Sequence, residues 1–97
     1  MASWILGKRF HFNGDEIAYE VMGDGPPLVL VHGFPGNSFS WRQVAPTLAR
    51  NHRVHVYDML GFGQSAKREG HNIFGDSQTR LLAALLEHWK LDAPLMV

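Results

Sequence analysis

The stretch Leu28-Val29-Leu30-Val31-His32-Gly33-Phe34-Pro35-Gly36-Asn37 decides how the rest of the chain is read. Four consecutive apolar residues predict a short strand buried on both faces, as in the middle of a parallel sheet. Pro26-Pro27 on one side and a Gly/Pro/Asn cluster on the other confine it, so the strand is expected over 28–32. Gly33 and Gly36 open unusual backbone conformations to the turn that follows, and Pro35 stiffens it. Such a turn presents backbone N–H groups and then feeds a helical pattern. A strand, a Gly-rich turn and a helix start, in that order, form the usual ligand position of an open α/β sheet.

Upstream, Phe10 and Phe12 alternate with Arg9 and His11, and Ile17, Tyr19 and Val21 alternate with Ala18, Glu20 and Met22. Asn13-Gly14 between them is a strong two-residue hairpin signal, so strands are expected over 8–12 and 16–22. Downstream, Trp41, Val44, Ala45 and Leu48 recur at helical spacing. Pro46 cannot sit deep in that helix, which places an irregular turn at 38–43 and the helix at 45–50, with Pro46 near its first position. Arg53 to Tyr57 reads as the fourth strand, parallel to the third through a right-handed crossover. Lys67 to Phe74 reads as a polar loop. Asp76 or Ser77 then caps a helix running to Lys90, with Leu81, Leu82, Leu85, Leu86 and Trp89 as its apolar stripe. Leu95-Met96-Val97 looks like a fifth strand.

Composition narrows the function classes. The chain has 97 residues, one small domain, with nine basic and nine acidic residues and no cysteine. The balanced charge argues against nucleic acid and anionic membrane partners, and it mildly favours self-association. Without cysteine there is no disulfide, thiolate nucleophile or thiolate metal site. The apolar N-terminal run is too short for a signal peptide or a membrane span, so a cytoplasmic location is the expectation. Of the six histidines, His52 and His55 are three apart, which on a strand puts them on opposite faces, and there is no His-Glu-x-x-His; no metal is expected. The Gly-rich residues 61–63 lack both a dinucleotide fingerprint and a Walker lysine, so no nucleotide or other cofactor is expected.

The fourth strand is followed by Asp58-Met59-Leu60-Gly61-Phe62-Gly63-Gln64-Ser65. His32-Gly33-Phe34-Pro35 after the third strand, this Asp-x-x-Gly-x-Gly-x-Ser after the fourth, and the helix leading into Pro94-Leu95-Met96-Val97 together resemble the α/β-hydrolase superfamily. The resemblance covers about residues 8–97. The run His32 to Pro35 with Ser40-Trp41-Arg42 looks most like epoxide hydrolases and the fluoroacetate-dehalogenase branch. Phe34 stands where some haloalkane dehalogenases carry a halide-binding Asn, and Leu60 stands where the fluoroacetate branch carries an Arg. Epoxide hydrolases are therefore the nearest match, with esterases and C–C or amide hydrolases as alternatives.

The resemblance implies a partial α/β-hydrolase fold, the N-terminal portion (1–97) of one domain: a β-hairpin, then parallel strands with helices on both faces, ordered 1-2-4-3-5. It implies that the backbone N–H of Phe34 forms half of an oxyanion hole. Pro35 and Trp41 would line the substrate, while His32, Gly33, Asp58, Gly61, Gly63 and Ser65 would shape the turns. The other reading of Phe34-Pro35 is a plain hydrophobic turn. In the family the nucleophile follows the fifth strand in a Gly-x-nucleophile-x-Gly elbow, and the acid and base come later. None of the three falls in this chain. Ser38, Ser40 and Ser77 read as loop or cap serines.

Two expectations follow. As a fragment, the chain is inactive alone and hydrolytic only with a complementary C-terminal fragment. As a self-sufficient product, it is a non-catalytic, self-associating α/β module holding a small apolar ligand. In either case the outer edge of the fifth strand is bare, and a homo-oligomer, a dimer first, or the complementary fragment is the expected partner.

Overall fold

The computed structural model describes residues 4–33, 36–67 and 75–97. Lys8–Phe12 (β1) and Asp15–Met22 (β2) form an antiparallel hairpin with Lys8 opposite Tyr19 and Phe12 opposite Asp15. Asn13 and Gly14 both take positive φ, 50° and 86°, which is the backbone twist a two-residue hairpin turn needs. Pro27–Leu30 (β3) and Arg53–Tyr57 (β4) run parallel with Leu28 opposite Val54, and β2 pairs with the other edge of β4 in antiparallel sense. Leu95–Met96 (β5) pairs parallel with β3, giving the sheet order β1-β2-β4-β3-β5. The strand expected over 28–32 ends at Leu30, although Val31 N–H still donates to Val97 C=O at 2.9 Å.

Strand alternation sorts the core onto two faces. Ala18, Leu28, Leu30, Val54 and Val56 face Val44–Leu48 (α1), where Ala45 is fully buried and Leu48 and Ala49 pack on. Ile17, Tyr19, Val29 and Tyr57 face Gly75–His88 (α2), which contributes Leu81 and Leu85. The stripe read from the sequence is thus the buried face of α2, with Leu82, Leu86 and Trp89 partly buried beside it.

The helix ends differ from the sequence expectation for identifiable reasons. α1 stops at Leu48, two residues early, because the following turn packs against the loop after β2. A methyl group at Gly23 (φ 83°) would overlap the Ala49 carbonyl. α2 starts at Gly75, so Asp76 and Ser77 lie inside its first turn rather than capping it, and Asp76 instead pairs with Arg80 at 2.8 Å. α2 ends at His88 rather than Lys90. Lys90 adopts a left-handed φ of 58° and Leu91 N–H donates to Leu86 C=O at 2.9 Å, a Schellman-type stop built without glycine. His52 precedes β4 rather than sitting on it, and its Nδ1 lies 3.3 Å from Leu48 C=O. The polar stretch 68–74 lies outside the described residues.

Candidate active site

The parallel strands β3 and β4 end side by side, and each runs into a turn. The turn after β4 is the more heavily bonded. Asp58 is buried, its N–H donates to Ala18 C=O at 3.0 Å, and its carboxylate accepts the Gln64 N–H at 2.8 Å and the Ser38 N–H at 2.6 Å. Ser65 donates its hydroxyl to Asp58 C=O at 2.6 Å and accepts the Ala18 N–H at 2.9 Å, so one side chain joins the turn to β2. Gly61 (φ 87°) and Gly63 (φ 53°) take left-handed conformations, and a methyl at Gly63 would overlap the Asp58 carboxylate. The spacing Asp58, Gly61, Gly63, Ser65 is thus that of a carboxylate wrapped by its own turn.

The turn after β3 is held through its neighbour. Met59 N–H donates to His32 Nε2 at 2.8 Å, so that nitrogen carries no proton, and Nδ1–H donates to Gly33 C=O at 2.8 Å. Both ring nitrogens are engaged, which leaves His32 no free position to accept a proton from a nucleophile while these bonds stand. Gly33 is exposed, and a methyl there would meet nothing among the described residues, whereas a methyl at Gly36 would lie 2.8 Å from Gly33 C=O. Asn37 accepts the Phe39 N–H at 2.9 Å and opens the single 3₁₀ turn Ser38–Trp41. Phe34 and Pro35 lie outside the described residues. Trp41 packs with Trp4, Met22 and Leu48 on the α1-side core, its indole N–H buried without a partner among the described residues.

Three residues without a sequence signal complete the arrangement. Trp4 donates its indole N–H to Ser38 Oγ at 2.9 Å. The Gln64 side chain accepts the Leu6 N–H and donates to Trp4 C=O, both at 3.0 Å. Gln78 on α2 spans both backbone groups of Leu60, at 3.2 and 2.9 Å. These are long-range partners of a glutamine amide or an indole, and no local pattern announces them.

Chemically, these two turns offer a shaped backbone, and their own His32, Ser38 and Ser65 form no nucleophile–base pair. His32 is occupied by backbone, His55 Nε2 takes the Arg53 N–H at 3.2 Å, and Ser38 and Ser65 bond to Trp4 and to the backbone respectively. Among the described residues no three acidic or histidine side chains converge on a metal position, and no helix is long and apolar enough to cross a membrane.

The chain is 47% identical to a crystal structure of an α/β hydrolase fold protein from Burkholderia ambifaria, with a TM-score of 0.91 over 96% of this chain and 34% of that one. It is 39% identical over 92 residues to the mesoderm-specific transcript homolog protein of Homo sapiens, covering 89% of this chain and 28% of the relative. It is also 39% identical over 67 residues to a soluble epoxide hydrolase of Corynebacterium sp. (strain C12), covering 69% of this chain and 23% of that enzyme. The chain therefore spans less than a third of the length of these curated relatives. The sequence profile of the alpha/beta hydrolase fold matches residues 26–97, most of the chain, and with the sheet order and paired turns above it shows that the chain belongs to the α/β-hydrolase fold family.

Proposed function

We propose that this chain supplies the oxyanion-stabilising turn of a hydrolase acting on an epoxide, ester or haloacid, with the Phe34 backbone N–H as one donor. The observation that carries this reading is the bracing of the turn after β3: His32 ties it to Met59 and Asp58 ties it to Ser38, at the ends of adjacent parallel strands. A rigid donor position is what stabilises charge that develops only in the transition state. The nucleophile, acid and base come from a complementary segment, and the 97 residues alone do not turn over. In the full reaction an Asp or Ser attacks carbon, and a His-activated water hydrolyses the ester intermediate.

The test is to assay the chain against nitrophenyl esters and a chromogenic epoxide, alone and mixed with the corresponding C-terminal portion of the Burkholderia ambifaria protein. Turnover is expected only in the mixture. There, Phe34→Ala, which keeps the N–H, stays within a few fold, while Phe34→Pro, which removes it, loses about 100- to 1,000-fold in kcat. Turnover by the chain alone, or equal rates for the two variants, rejects the proposal.

A second reading is favoured by the β5 edge, where Leu95, Met96 and Val97 are 60%, 47% and 56% exposed. That apolar edge suits pairing with a second copy. Size-exclusion chromatography with light scattering at micromolar concentration should show a dimer if self-association is the chain's role, and a clean monomer rejects it.

A further inference from the structure

The geometry points to His55 as an acid-sensitive latch between β4 and the C-terminal end of α2: a second proton on its ring breaks the bond from Arg53 and loosens Trp89 from the sheet. His55 lies on the central strand and is only 4% exposed. Its Nε2 accepts the Arg53 Nε–H at 3.2 Å, so the ring's proton sits on Nδ1, which is buried without a partner among the described residues. The ring lies 4.7 Å, centroid to centroid, from that of Trp89, which also contacts Tyr19 and Tyr57 and likewise buries an unpartnered N–H. The Trp89 backbone N–H donates to Leu85 C=O at 2.8 Å, and its partly buried ring packs, with Leu91, against the core on the α2 face of the sheet.

Among the described residues no carboxylate is paired with His55 to welcome a positive charge. From β4 it meets Arg53 and, two residues on, Tyr57, whose hydroxyl burial pushes up to about 12 and so keeps neutral. The facing residues of β2 and β3 are Val21 and Val29. Glu20 of β2 faces the other side of the sheet, 3.6 Å from Lys8. Tyr19 bonds His88 at 3.3 Å, and Glu87, His88 and Lys90 around Trp89 are exposed. Burial first, and Arg53 second, pull His55 from 6.5 down to about 4. The sign follows. The unfolded chain takes the proton as pH falls through 6.5 while the folded chain refuses it until about 4. The contribution is therefore complete above 6.5 and is lost between those two values.

The experiment follows urea midpoints from pH 7.5 to pH 4 in the native chain, His55→Gln and His55→Phe. In the native chain, NMR also tracks the His55 ring and the Trp89 indole N–H. The native folding constant should fall by up to about 100-fold more than that of either neutral variant. The Trp89 resonance should shift with the His55 ring, well below the ordinary histidine range. Parallel pH slopes in all three proteins overturn the inference. Should both variants fail to fold, the ring titration of the native chain decides: His55 titrating near 6.5 with Trp89 unmoved overturns it.

Discussion

Two turns lie side by side at the ends of β3 and β4, and they are held to different degrees. The one after β4 is tied within itself, where Asp58 accepts the Gln64 N–H, Ser65 caps the Asp58 carbonyl and Gly61 N–H donates to Ala66 C=O at 2.9 Å. It is also anchored to β2 and α2 through Ser65 and Gln78. The one after β3, which carries the candidate donor, is braced from across the gap by the second carboxylate oxygen of Asp58, which accepts the Ser38 N–H, and by the His32–Met59 bond. A backbone that must offer an N–H to a ligand cannot spend it on its own turn, so its shape has to come from elsewhere. On the proposed function, the dense turn after β4 is the scaffold and the open turn after β3 the working surface.

The strongest way to break this picture is to remove the shared carboxylate. Asp58→Ala leaves the Ser38 and Gln64 N–H groups in a buried site without their acceptor. Each stranded group costs about 1–3 kcal/mol, so a loss of about 4 kcal/mol is expected in urea denaturation. A loss below about 1 kcal/mol would mean that water replaces the carboxylate and that the two turns are independent.

Next comes a contrast between two glycines. Gly63→Ala forces a methyl into the Asp58 carboxylate at φ 53°, while the methyl of Gly33→Ala meets nothing among the described residues. The first should cost about 3 kcal/mol and the second less than about 0.5, by the same measurement. Equal effects would show that the dense turn relaxes as readily as the open one.

The architecture was legible where local chemistry and burial agree. Asn13-Gly14 gives the hairpin, the run Leu28 to Leu30 gives a strand buried on both faces, and the spacing of Leu81 and Leu85 gives the face of α2. Legibility fails where the observed backbone departs from the local preference of its residues. Lys90 ends α2 in a left-handed conformation that sequence rules reserve for glycine, and α1 stops where the Gly23 loop meets Ala49. At the site, the spacing of Asp58, Gly63 and Ser65 shows that a tight turn exists. It does not show that Asp58 reaches across to Ser38, or that Trp4 and Gln64 close the arrangement from the N-terminal segment. Those are contacts over 20 to 60 residues of sequence, with no periodicity to reveal them.

Of the substitutions expected to destabilise the fold, His32→Leu has the smallest effect and is the most selective. His32→Leu keeps a comparable apolar volume but removes both ring nitrogens, so Met59 N–H and Gly33 C=O lose their partner. Met59 is only partly buried and Gly33 is exposed, so water takes up part of the loss, and about 1–2 kcal/mol is expected rather than the larger figure for Asp58. The informative readout is amide hydrogen exchange, because it resolves the two turns separately. Exchange should quicken across 36–40 while Gly61, Phe62 and Ser65, bonded within their own turn, keep their protection. Loosening of 58–66 to the same degree would mean that His32 braces both turns equally. The dense turn would then depend on the open one as much as the reverse, and the division between scaffold and working surface would fail.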